Sequence, residues 1–456
     1  MDIAALCIRP SFQMRVDCLI QGKWVVPVVP AGVLENHSIA ILAGRIVDIL
    51  PTELATRKFQ TDNIIDCSHH ALLPGFINSH THAAMNLLKG IADDLPLTTW
   101  LEEHIWPAEA RWLNESFIHD GSLLAIAEML RGGTTTFNDM YLFPEVTALC
   151  AQQSGIRASI GLVVLDFPTP WAQNADEYLS KGLALRDELD SDGLINVALA
   201  PHAPYTVSDA PLERIATLAN ELDIPIHIHL HETADEINTA MNNGGLRPLA
   251  RLQKLGLVTP NLQAVHLTQV DEDEITQLAE CKANVIHCPE SNLKLASGIC
   301  PVSLLIDAGI NVALGTDGAA SNNDLDMLGE MRTAALLAKG FSGDATVLST
   351  QQALEMATIN GAKALGIADE TGSLERGKAA DIIAIKLDSL ETQPVYDPLS
   401  SLVYSCSRES VEHVWVAGRQ LLKQRRLTTL DENNLLEKAE EWQKKIAAHN
   451  EKPTPH

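Results

Sequence analysis

Leu73-Pro74-Gly75-Phe76-Ile77-Asn78-Ser79-His80-Thr81-His82 reads as an apolar strand that ends in a His-x-His pair. Side chains alternate across a strand, so His80 and His82 fall on the same face, one pleat repeat apart. Two imidazoles so placed can reach one cation, and imidazole suits zinc and related transition metals. Alone, the pair also fits ordinary polar surface. The rest of the chain has to supply partners.

Outward from this stretch the pattern repeats: apolar strand, polar loop, amphipathic helix. The spacing predicts strands at Leu72–Asn78, Thr134–Asn138, Ala158–Val164, Asn196–Ala200, Ile224–Leu230, Gln263–Leu267, Asn284–His287 and Asn311–Gly315. Helices are predicted between them, among them Ser116–Arg131, Ala210–Glu221, Glu274–Cys281 and Leu325–Lys339. This alternation predicts an α/β chain folded as a (β/α)8 TIM-type barrel. A doubly wound open sheet is the weaker choice, because no Gly-x-Gly-x-x-Gly follows an early strand.

Residues 1–70 lack a helical period and read as short strands and turns. After a helix at Gln351–Leu365, Asp381–Ile385 and Val411–Val416 return to strand patterning. The two β-rich ends are expected to pair into a small β-sandwich made from 1–70 and 371–430, beside a barrel at 71–370. Residues 431–456 read as a terminal helix and tail.

The length of 456 residues suits such a barrel with an accessory unit. A formal net charge of -26 argues against nucleic acid or an anionic membrane as partner. Met1–Leu6 carries no basic segment ahead of a long apolar core, and no apolar run is long enough to span a bilayer. The eight cysteines are scattered without a Cys-x-x-Cys, as expected for reduced thiols in a cytoplasmic protein.

Barrel enzymes carry their chemistry at the C-terminal ends of the strands, and here those ends hold the unusual residues. Strand one ends in His80 and His82, strand four runs into His202, strand six ends at His266, and strand eight ends at Asp317. Strand five reads His227-Ile228-His229-Leu230-His231-Glu232, with three histidines on one face, so periodicity alone cannot choose among them. Three histidines and an aspartate make a shell for one divalent metal with a position open for water. Strand four has no lysine to bridge a second metal. His69, His70, His104 and His119 lack strand-end context and are expected in solvent. Cys288 and Asn292 are expected to shape the strand-seven loop rather than do chemistry. Glu109, in Pro107-Ala108-Glu109, also fits the acidic first turn of a helix.

From Leu73 to Val416 the chain resembles the amidohydrolase superfamily, more narrowly the 5'-methylthioadenosine/S-adenosylhomocysteine deaminase family. The resemblance rests on Pro74–His82, Leu95–Arg111 with its Trp-x-x-x-x-x-Trp-Pro-x-Glu run, Pro201–Tyr205, His229–Thr233 and Gly315–Asn323. It implies one zinc held by His80, His82, His229 and Asp317, with Glu232, His266 and Asp317 catalytic. Glu232 would shuttle protons, while Asp317 and His266 accept the proton of the attacking water. Substrate contacts would fall on Glu109 for the ribose hydroxyls, His202 for the purine, Trp100 as an apolar wall, and Ser321. The implied partner is a purine nucleoside, in a homo-oligomer with no nucleic acid or membrane.

The implied reaction is hydrolytic removal of the 6-amino group, with guanine, cytosine or triazine chemistry as the alternative among related enzymes. The loop after strand three, Leu165–Ala175, has no Arg or Lys for the carboxylate of S-adenosylhomocysteine. This favours 5'-methylthioadenosine, with adenosine second.

Overall fold

The computed structural model describes residues 13–189 and 191–450. The expectations for Met1–Leu6 and for the tail after residue 450 lie outside them. Eight parallel strands form a nearly closed barrel: Phe76–Thr81, Thr134–Asp139, Arg157–Val164, Ile195–Pro201, Ile226–Leu230, Leu262–His266, Asn284–His287 and Asn311–Leu314. Each pairs with its sequence neighbour. At the seam Asp317 N–H donates to the His80 carbonyl at 3.0 Å. Gly315 is needed there, since a Cβ would stand 2.8 Å from the His80 nitrogen.

The strands are buried on both faces, which is why they read as nearly continuous apolar runs. Helices such as Glu115–Arg131, Asp209–Leu222 and Met327–Ser342 cover the outside. Asn114 caps the first of these by accepting the Phe117 N–H.

The terminal segments pair as expected, in one hydrogen-bonded sheet of nine strands. Ile382–Lys386 lies between Val411–Val416 and the N-terminal strand Ile64–Pro74.

Two expectations change. The predicted first strand, Leu72–Asn78, is two strands: Ile64–Pro74 belongs to the small sheet, and only Phe76–Thr81 enters the barrel. The break falls at Gly75, where any side chain would collide with Thr135. The predicted helix Gln351–Leu365 is also two, Thr350–Met356 and Ile359–Ala364. Between them the Ala357 carbonyl turns to accept the Ile77 N–H of the first barrel strand. A long-range hydrogen bond outweighs a continuous helical pattern there.

Candidate active site

The C-terminal ends of strands one, five and eight bring four side chains to one point. One ligand atom from each of His80, His82, His229 and Asp317 lies within 4.8 Å of the others. His80 Nε2 and His82 Nε2 are each 3.2 Å from Asp317 Oδ1. His229 Nε2 faces His80 Nε2 at 3.2 Å.

The outer nitrogens decide what these rings present inward. His82 Nδ1 is 2.5 Å from the Met140 carbonyl, and His229 Nδ1 is 2.8 Å from the His202 carbonyl. A carbonyl only accepts, so both Nδ1 atoms carry protons, and the nitrogen each ring can offer a cation is the Nε2 that points at the centre. His80 Nδ1 pairs with His227 Nε2 at 2.8 Å. Converging lone pairs and a carboxylate fit a single divalent cation. Burial raises the Asp317 carboxyl, but hydrogen bonds and charge from His80 and His82 outweigh it and hold the group well below the usual range. Its second oxygen accepts the Ser291 hydroxyl at 2.7 Å and the Ser321 hydroxyl at 3.0 Å.

The strand ends leave through strained backbone. His231 (φ 53°), His266 (φ 79°), Leu267 (φ 48°) and Asp317 (φ 62°) are left-handed without being glycine. Such residues cost of the order of 1 kcal/mol each and cluster where a site requires them. At His231 the twist sends the ring out of the barrel, where Nε2 accepts the Leu249 N–H at 3.0 Å. The expectation that all three strand-five histidines share a face therefore fails at its last member. His227 and His229 face inward; His231 lies past the strand end.

Beside the cradle lies a cavity of about 120 Å³, lined by His82, Trp100, Glu109, Tyr141, His202, Phe167, Glu232, His266 and Asp317 among others. Glu232 Oε2 is 3.7 Å from His266 Nε2. Burial, reinforced by the Asp317 charge, pushes the Glu232 carboxyl up to about 8. Burial likewise lowers His202 to about 3, keeping it neutral.

Glu109 is raised by burial, and Tyr141 donates to its Oε1 at 2.6 Å. Its side chain thus faces the cavity instead of merely opening a helix. Ser321 departs from expectation. It is 2% exposed, absent from the cavity wall, and its hydroxyl is spent on Asp317.

Sequence reasoning misses Tyr141, because nothing local links it to Glu109, and Ser291, which reads as plain loop. It also places His70 in solvent. His70 is 6% exposed and bonds Glu412 at 2.9 Å, a partner 342 residues away.

A model of the amidohydrolase family matches residues 71–421, more than two thirds of the chain. The chain belongs to the amidohydrolase family. Within it, the chain is 51% identical over 434 residues to a 5-methylthioadenosine/S-adenosylhomocysteine deaminase of Teredinibacter turnerae, covering 95% of this chain and 98% of that one. A solved structure of an adenosine deaminase from Xanthomonas campestris with bound zinc superposes with a TM-score of 0.95 at 50% identity, covering 96% of this chain and all of that one. An atrazine chlorohydrolase from Arthrobacter aurescens complexed with zinc shares this amidohydrolase's fold more distantly, with a TM-score of 0.88 at 26% identity over 93% and 99% of the two chains.

Proposed function

We propose that the chain is a zinc-dependent deaminase that hydrolyses the 6-amino group of 5'-methylthioadenosine, and of adenosine, to an inosine-type product and ammonia. One observation carries this reading: a cradle of three histidines and an aspartate shares one small cavity with a buried, tyrosine-anchored Glu109. A free base or a triazine has no ribose diol for such a carboxylate. The names of the relatives and the zinc in the Xanthomonas structure support substrate and metal alike.

His80, His82, His229 and Asp317 would hold the zinc, which lowers the pKa of a water from 15.7 to roughly 7. Glu232, which burial keeps largely protonated near neutral pH, delivers its proton to N1, so that negative charge does not build on the ring as oxygen bonds to C6, and the carboxylate so formed takes the water's proton. It then passes that proton to the amino group, the C6–N bond breaks and ammonia leaves, and the hydroxyl left on C6 returns its proton to Glu232 as it becomes a carbonyl. His202, neutral, contacts the purine, and Trp100 closes an apolar wall. Glu109 accepts both ribose hydroxyls.

No lysine or arginine is among the described residues lining the cavity, and Leu165 and Phe167 form part of its wall. Such walls suit a methylthio tail better than the amino-acid tail of S-adenosylhomocysteine. Seven described cysteines are free, consistent with a cytoplasmic enzyme. Exposed apolar Leu336 and Phe341 on one helix are consistent with a homo-oligomer, which sedimentation would measure.

Ammonia release by the zinc-loaded protein tests the reading on 5'-methylthioadenosine, adenosine, S-adenosylhomocysteine, guanine and cytosine, with chloride release from atrazine alongside. Turnover of the first two above the rest is expected. Activity confined to free bases or to atrazine overturns it.

A further inference from the structure

The short helix after strand seven, Pro289–Lys294, gives no ligand to the cradle. Yet this helix and the loop behind it touch each group that the reaction needs for protons. Ser291 donates to Asp317. Asn292 Nδ2 stands 3.0 Å from His266 Nδ1. Ser297 donates its N–H to the Asn292 carbonyl at 2.9 Å and its hydroxyl to Glu232 Oε1 at 3.4 Å. Asn292 is 1% exposed, and its Oδ1 has no partner among the described residues.

We propose that Asn292 is a positioning residue that fixes His266 as the Nε2–H tautomer. His266 then serves as a hydrogen-bond donor to the oxygen attacking C6, and not as its base. The role rests on the deaminase reading given above, whereas the tautomer does not depend on any substrate.

The geometry selects this tautomer from the Nδ1 side of the ring. An amide N–H only donates, so Nδ1 must accept and carries no hydrogen. The same donor disfavours the imidazolium, which would set an Nδ1–H against the amide N–H, and a ring with one proton then carries it on Nε2. On that side lies Glu232 Oε2, at 3.7 Å. That distance is beyond a hydrogen bond, so the Nε2–H remains free to face the cavity that His266 lines. A fixed donor at this point stabilises charge developing on oxygen as it bonds to C6. The water's proton goes to Glu232, in place of the expected transfer to His266. Atoms balance as before: water adds at C6, and ammonia departs with the proton that Glu232 returns.

The test is 15N NMR of the zinc-loaded protein carrying ring-15N histidine, with the His266 signals identified by their loss in His266→Gln. Nδ1 is expected in the unprotonated range and Nε2 in the protonated range. Protonated Nδ1 overturns the proposal without touching the substrate assignment. Asn292→Asp puts an acceptor opposite Nδ1 and should move a proton onto it. Zinc content and KM should hold while kcat falls ~10–100-fold, the scale for losing one preorganised donor. In the His266→Gln background the same change should cost less than ~3-fold, because Asn292 acts through His266. An equal loss in both backgrounds overturns the proposal. Should Asn292→Asp fail to fold, the spectrum of the unaltered protein still decides.

Discussion

At the mouth of the barrel His80, His82, His229 and Asp317 converge; on the small sheet His70, Glu412 and His413 do the same, with ligand atoms likewise within 4.8 Å of one another. In the barrel the outer nitrogens of His82 and His229 donate to carbonyls, which leaves Nε2 lone pairs facing inward. On the sheet, Gln420 Nε2 and the Gln424 N–H both approach His413 Nδ1, at 3.1 and 3.4 Å, so its lone pair is already taken. Lys386 Nζ stands 3.6 Å from Glu412, whose other oxygen bonds His70. The first cluster aims its lone pairs at a common centre, and the second has a cation built into the chain. Residue types do not distinguish them. The second-partner hydrogen bonds do.

The largest effect that could break this comparison is on metal content. His229→Ala and Asp317→Asn should lose zinc by elemental analysis and ~10³-fold or more of activity, since a Lewis acid is worth several kcal/mol. His227→Ala removes only the partner of His80 Nδ1 and should weaken zinc binding by ~10–100-fold. His231→Ala and His413→Ala should keep one zinc per chain. Loss of zinc in His413→Ala would erase the distinction between the clusters.

Next in size is the proton shuttle. Glu232→Gln keeps shape but cannot carry a proton, so kcat should fall by ~10²-fold or more at unchanged zinc content. Full activity with metal bound would remove Glu232 from the mechanism.

A smaller effect separates the nucleoside reading from a free-base one. Charge-assisted hydrogen bonds contribute roughly 1.5–3 kcal/mol. Glu109→Gln should therefore lower kcat/KM on 5'-methylthioadenosine by ~10–100-fold, and much less on the 2',3'-dideoxy analogue, which lacks the diol. Tyr141→Phe should follow the same pattern more weakly. Equal losses on both substrates return Glu109 to a structural role.

The smallest effect concerns stability against pH on the small sheet. Burial, joined by His70 and Lys423 and opposed by Glu412, lowers His413 to about 4. A folded pKa below the unfolded value means the unfolded chain binds the proton first. This group's contribution is complete above about pH 6.5 and is lost as pH falls toward about 4. His413→Gln should flatten the urea-midpoint profile in that window by on the order of 1 kcal/mol, with no change above pH 7. An unchanged slope would show His413 to be better solvated than its burial implies.

By itself the sequence determined the elements whose signals are local. The period-two spacing of His80 and His82, the alternation of eight apolar runs with amphipathic helices, and Asp317 just past the last run are short-range patterns, and they placed the site at the strand ends. Only tertiary structure decided what hangs on distant partners. Gly75 splits one apolar run between two sheets because Thr135 leaves no room. His231 turns away from its two strand neighbours at a left-handed residue held by Leu249. Ser321 serves Asp317 and not the cavity, Tyr141 anchors Glu109 from 32 residues away, and Asn292 reaches His266. The physical reason is common to all of them. A side chain's type is written locally, but which of its lone pairs and protons remain free is settled by whatever the fold brings against it.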